Sequence, residues 1–207
     1  MKKLITICLV AMLAFTGKAG AFPWMEVGEA GDLPGTAQTP MGIGPLDSIS
    51  GLVGSGDADM YEIYVTGGGT FSATTVGGAA FDTQLFLFDS SGMGIYANDD
   101  TSSGGFQSTL PAFYPLTPTT AGIYYLAISN FNYDPENMGG IIFPSFPPDG
   151  INGPTGPGGG SAITGWSGSG FSGGEYTIFL TGASAVPEPA TIGLLSLGAL
   201  TLIRRKK

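Results

Sequence analysis

A chain of 207 residues with no histidine and a single cysteine, Cys8, offers no histidine-ligated metal, no histidine-based triad and no intrachain disulfide. Its 7 Lys and Arg all lie at the ends, at Lys2, Lys3, Lys18, Arg204, Arg205, Lys206 and Lys207, whereas its 16 acids all fall between Phe22 and Ile203. A body charged in that way has nothing with which to hold phosphate backbones or anionic lipid, so nucleic-acid binding is excluded.

Residues 1–21 read as a secretory signal: Lys2 and Lys3, an apolar run from Leu4 to Phe15, then the small-residue site Ala19-Gly20-Ala21. Cleavage by signal peptidase after Ala21, with Ala19 and Ala21 as the recognised small residues, makes Phe22 the first residue of the exported chain. The removed segment takes Cys8 with it.

The body, 22–185, carries period-two patterns throughout. Strands are expected at Ile49–Val53, at Met60–Thr66 with Tyr61, Ile63 and Val65 on one face, and at Thr70–Val76. Gly67-Gly68-Gly69 reads as a hairpin turn between the last two. Thr83–Phe88 reads as a buried strand, turned by Ser90-Ser91-Gly92 into Ile95–Ala97. Leu110–Leu116 is interrupted by Pro111 and Pro115, which makes it an edge strand or irregular. Gly122–Ser129 and Glu175–Thr181 complete the set, and nothing in the body repeats with a helical period. Many short strands between turn signals predict an all-β fold, an antiparallel β-sandwich of jelly-roll kind. A signal helix before it and an apolar helix after it are expected as flanks.

Residues 130–174 form a long Gly/Pro-rich loop in this reading, with Pro147-Pro148 and Gly156-Pro157-Gly158-Gly159-Gly160 and no strand pattern. Its aromatic residues are Phe131, Tyr133, Phe143, Phe146, Trp166 and Phe171. They either pin the loop to the sandwich or, with Trp166 foremost, offer faces on which sugar rings stack.

The last segment, 186–207, places Pro187-Glu188-Pro189 before an apolar stretch, Ala190 to Ile203, and the basic cluster Arg204-Arg205-Lys206-Lys207. Fourteen helical residues span about 21 Å, short of a hydrocarbon core of about 30 Å. The basic cluster stays cytoplasmic, and the two prolines hold an extended segment at the opposite membrane face. This layout resembles the PEP-CTERM sorting signal, with Pro187, Glu188, Pro189, Arg204 and Arg205 as its marks. The resemblance implies processing by an exosortase-type membrane transpeptidase, delivery to the cell surface or extracellular matrix, and company with exopolysaccharide.

A second resemblance runs through the body. Glu29 to Pro34, Ile49-Ser50-Gly51, Gly56-Asp57-Ala58-Asp59-Met60-Tyr61, Phe81 to Leu85, Asn98-Asp99-Asp100 and Gly122 to Leu126 follow in the order of a bacterial pre-peptidase C-terminal (PPC) type domain. That family implies a β-sandwich accessory module. The Gly/Pro insertion departs from its pattern, and no protease domain accompanies it.

Asp57 and Asp59 at the start of a strand, and Asn98-Asp99-Asp100 in a turn, are oxygen ligands of the kind Ca²⁺ takes. Asp and Asn also favour such positions for backbone reasons alone, so a metal site and a structural turn both fit. No catalytic constellation is legible. Asp99 with Asp134 or Glu136 can be drawn as a glycosidase pair, but any chain with this many acids offers such pairs.

Three functions compete: a non-catalytic surface or matrix protein, a carbohydrate-binding or adhesion module that holds exopolysaccharide, and a secreted hydrolase. The first needs only the ends and the fold. Intact mass spectrometry of the protein from medium and membranes of its host is expected to give a species that starts at Phe22 and ends near Val186–Pro189. A membrane species that retains Arg204 to Lys207 would reduce the C-terminus to a plain tail anchor.

Overall fold

In the computed structural model, residues 20–101, 105–144 and 147–186 are described. The two expected terminal helices, the sorting residues Pro187, Glu188, Pro189, Arg204 and Arg205, and the cleavage residue Ala19 lie outside them. Every regular element among the described residues is a strand.

Side chains alternate across a strand, so apolar residues two apart share a face. In β2 (Leu46–Val53) and β12 (Gly174–Thr181) that rule buries Ile49 and Val53, and Tyr176, Ile178 and Leu180, while Leu46 reaches the same core across a register shift against β1. With β1 (Phe22–Met25), β4 (Ser72–Thr74) and β7 (Thr109–Leu110) they build one five-stranded sheet, in the order β1-β2-β12-β4-β7. The other five-stranded sheet runs β13-β3-β8-β5-β6. Its strands are β3 (Ala58–Val65), β5 (Thr83–Asp89), β6 (Gly94–Asn98), β8 (Gly122–Asn130) and β13 (Ala183–Ser184). All pairings are antiparallel except β1 with β2.

Tyr61, Ile63 and Val65 of β3, Leu85 and Leu87 of β5, and Leu126 and Ile128 of β8 meet the buried face of the first sheet in one core. The second sheet is covered on its other face too. Met60, Phe86, Phe88, Ala97 and Ala127 form a second cluster with Ile142, Phe143 and Ile163. This accounts for the unbroken apolar run Leu85-Phe86-Leu87-Phe88, since a strand buried on both faces has no polar side to alternate with.

The covering residues come from the stretch expected to be structureless. It holds β9 (Tyr133–Asn137), β10 (Gly140–Ile141) and β11 (Gly165–Gly168), paired as a three-stranded sheet in the order β10-β9-β11. Tyr133-Asp134-Pro135-Glu136-Asn137 has no apolar alternation, so period-two reading passes over it. Phe143 lies against Phe86 and Phe88, with ring centroids 5.7 and 5.8 Å away.

Two further expectations are corrected. Gly67-Gly68-Gly69 is not a hairpin turn: β3 and β4 belong to different sheets. All three glycines have positive φ, and Gly68 and Gly69 donate to Thr119 and Pro118 carbonyls, not across a hairpin. The strand expected at Thr70–Val76 is confined to Ser72–Thr74. Leu110–Leu116, read as an edge strand or irregular, is both: Leu110 ends the edge strand β7, and the chain is irregular from Pro111, which has no N–H to extend the ladder. An unforeseen strand, β1, begins at Phe22 and accepts Pro23 because it is an edge. The turn at Ser90-Ser91-Gly92 is as expected, with Asp89 accepting from the Ser91 and Met93 amides.

Phe143 is 3% exposed, so Phe143→Ala is expected to destabilise the fold by about 3–5 kcal/mol. Phe106, 67% exposed, should tolerate the same change within about 0.5 kcal/mol. Denaturant unfolding of the two variants checks both.

Candidate functional site

Asp59 occupies the position on β3 that precedes Tyr61, Ile63 and Val65 by steps of two, so its side chain shares their inward face. It is completely buried. Oδ2 accepts a hydrogen bond of 2.6 Å from the Tyr176 hydroxyl. Tyr176 has spent its only proton there, so the contact between the Tyr61 and Tyr176 hydroxyls is donated by Tyr61. Oδ1 of Asp59 has no donor and no solvent.

Glu26 and Glu29 join Asp59, with one carboxylate oxygen of each within 4.8 Å of the others. Both come from the segment after β1, which is stitched to β3. The Gln38 amide nitrogen donates to the Val27 and Glu29 carbonyls, and its oxygen accepts from the Val27 amide. Gln38 in turn donates its backbone N–H to Met60 and accepts from Glu62, while the Met60 amide donates to Gly31. Glu26 is held by the Leu52 amide on Oε2, at 2.9 Å, while its Oε1 is buried without a partner. Gly51 makes this convergence sterically feasible: a Cβ there would lie 2.5 Å from both the Glu26 carboxylate and the Tyr176 hydroxyl.

Of the two aspartates singled out at the start of this strand, Asp57 lies outside the cluster. Its carboxylate caps the turn, accepting from the Gly54 amide at 3.0 Å and the Ala58 amide at 2.9 Å.

A second cluster unites Asp82, Asp99 and Asp100, again within 4.8 Å of one another. The pairing of β5 with β6 sets Leu85 opposite Asn98, which brings the residue before β5 beside the turn after β6. Asn98 is engaged elsewhere. Its Nδ2 donates to the Asp100 and Gly150 carbonyls, and its Oδ1 accepts from the Thr109 amide. Neither Glu26, Glu29 nor Asp82 stands out in the sequence, because each joins its cluster through tertiary pairing.

Trp166 is half-buried. Tyr133 stacks on it at 5.7 Å, the Phe86 ring meets it edge-on at 5.4 Å, and its indole N–H donates to the Asp32 carbonyl at 2.7 Å. Phe131 and Phe171 make a surface pair 5.4 Å apart, and Phe146 lies outside the described residues. An open groove of about 1160 Å³ runs beside Glu26, lined by Met25, Leu52, Phe81 and the Ser50 and Thr177 hydroxyls among others. Those two hydroxyls bond each other at 2.8 Å. Ala21, the last residue before the expected cleavage, is exposed immediately ahead of β1.

Burial, with Glu26, Asp57 and Glu29 adding repulsion, pushes Asp59 up to about 8 against the opposing hydrogen bond from Tyr176. Burial and then Asp100, Asp82 and Asp134 push Asp99 up to about 7, and burial with Asp100 pushes Asp82 up to about 6. Through that range the metal-free folded chain keeps protons that the unfolded chain has released. Stability therefore falls as pH rises from the ordinary carboxylate range to about 8, where the contribution of these carboxyls is spent. In chelator the melting temperature is expected to drop between pH 5 and pH 8, and Asp59→Asn should flatten part of that drop.

Among curated proteins, none matches this chain. A family model described as the PEP-CTERM protein-sorting motif matches residues 185–207. The motif implies an exported protein sorted through exosortase.

Proposed function

We propose that this chain is an exported, non-catalytic surface or matrix module, a β-sandwich of PPC type, that binds one Ca²⁺ through Glu26, Glu29 and Asp59. The observation that carries the reading is Asp59: a completely buried carboxylate with one oxygen unpartnered, in a body without a Lys or Arg to pair with it. Burial keeps such a carboxyl protonated when no ion is present, and a divalent cation among three carboxylates takes the place of the proton. Oxygen-only ligands at unequal depth suit Ca²⁺, which takes carboxylates and carbonyls in flexible geometry. Zinc prefers the nitrogen and sulfur ligands that the exported body lacks.

The ion joins the segment after β1 to the start of β3, and so ties the mature N-terminal strand to the opposite sheet. The PPC-type assignment is supported by the order of the matching segments, from Glu29 through Asp57-Ala58-Asp59 to Asn98-Asp99-Asp100. The absence of histidine and of any mature thiol supports a non-catalytic role. The groove beside Glu26 favours a second reading, a module that holds exopolysaccharide; a glycan array with calcium-loaded protein separates the two.

Calcium at about a hundredfold above Kd adds about 2.7 kcal/mol to the folded state. At about 2–4 °C per kcal/mol for a chain of this size, the melting temperature should rise by roughly 5–10 °C. Calorimetric titration of the mature protein should give binding that Asp59→Asn weakens severely and Asp57→Asn largely spares. Equal binding by the wild type and Asp59→Asn at this site would sink the reading.

A further inference from the structure

The Asp82–Asp99–Asp100 cluster has no part in the function proposed above. We propose that it is a second, separate calcium site, which fastens the 133–168 insert to the two-layer body.

Asp99 is 7% exposed, and its Oδ1 is sealed from solvent without a donor. The Oδ1 atoms of Asp82 and Asp100 are also buried and unpartnered. Three carboxylates converge with one bare oxygen each, so the arrangement differs from turn aspartates that cap amides, as Asp57 and Asp89 do. No basic side chain exists anywhere in the body to compensate them. Asp134 adds to the negative potential at Asp99, and Asp149 adds to that at Asp100.

The backbone beneath the cluster is held from several directions, which fixes the carboxylates for a ligand. Phe131 donates to the Asp82 carbonyl at 3.0 Å, and Asn98 ties the carbonyls of Asp100 and Gly150 together. The insert arrives at this point. Asp100 donates to the Pro148 carbonyl at 2.9 Å, and Ala97 and Asn152 exchange backbone hydrogen bonds of 2.8 Å. Residues 148–152 therefore run along the end of β6, and Asp149 within them is close enough to act on Asp100. A cation bound by Asp82, Asp99 and Asp100 neutralises the repulsion across that junction and holds it closed. The ligand set is oxygen alone, from short side chains on turns, which again favours Ca²⁺ over Mg²⁺ with its demand for a rigid octahedron.

The site is tested by equilibrium dialysis of the mature protein against CaCl₂, with calcium counted per chain. Hydrogen exchange is followed alongside at the Ala97, Asp100 and Asn152 amides. Two ions are expected for the wild type, one for Asp59→Asn, one for Asp99→Asn and none for the double variant. Calcium should slow the three amides in the wild type and in Asp59→Asn, and leave them unchanged in Asp99→Asn. Replacing Asp99 by its isosteric amide relieves repulsion, so in chelator this variant should melt no lower than the wild type. If it does not fold, Asp100→Asn at the less buried ligand takes its place, with an affinity loss of roughly tenfold or more at this site, since affinity follows ligand charge. The proposal is overturned if these variants bind as much calcium as the wild type, or if calcium leaves the three amides unaffected in Asp59→Asn. A chain whose calcium binding vanishes altogether with Asp59→Asn would also overturn it while leaving the first site intact. The converse, loss with Asp99→Asn alone, would overturn only the first.

Discussion

Every carboxylate in the body must be accommodated without a lysine or an arginine. Attraction between opposite charges, the usual means, is absent, and the structure substitutes hydrogen-bond donors of other kinds. Backbone amides serve Asp57 and Asp89, the Leu52 amide serves Glu26, the Gln84 amide group serves Asp134, and a tyrosine hydroxyl serves Asp59. The amides that serve Asp57 and Asp89 are local to their turns, whereas those of Leu52 and Gln84 and the Tyr176 hydroxyl reach their acids through tertiary pairing. Where donors run out, bare oxygens gather in two clusters. The charge constraint thus decides where the molecule has spare coordinating capacity.

The same economy of polar groups explains the double layer over the second sheet. A strand such as β5, apolar on both faces, would expose Phe86 and Phe88 unless something covered them. The insert does so with Ile142, Phe143 and Ile163, and Trp166 closes the edge of that cluster. A glycine on the covered sheet lets the segment lie close: a Cβ at Gly94 of β6 would meet Ile142 and Phe143 at 2.7 Å. Sugar-stacking by Trp166 would have to compete with Tyr133, which already occupies a face of its ring.

The main strands were legible because burial on one face imprints period two, as Tyr61-Ile63-Val65 and Tyr176-Ile178-Leu180 show. Turn chemistry was legible where it is local, as at Asp89 and Gly92. Gly67-Gly68-Gly69 misled because a glycine run says that the backbone takes left-handed conformations, and not which sheet it leads to. β9 was hidden because it faces no large core and so carries no alternation. The clusters were half legible. Asp59, Asp99 and Asp100 advertise themselves by spacing, whereas Glu26, Glu29 and Asp82 arrive through the Gln38 clamp and the β5–β6 register.

The last two-residue strand has a mechanical consequence. β12 ends at Thr181, and Gly182, with a φ of 63°, turns the chain out of one sheet and into the other, where Ala183 and Ser184 pair with Val65 and Tyr64. The sorting motif follows at once, so any pull from a membrane tether reaches this short edge pairing before it reaches β12. Peeling residues 183–186 away would lengthen the leash by about 13 Å. Resistance comes from the pairing with β3, the bridge between Ser184 and Pro45, and the buried methyl groups of Ala183 and Ala185. The body can therefore yield reach to a processing enzyme at the membrane while the other nine strands of its two large sheets stay paired.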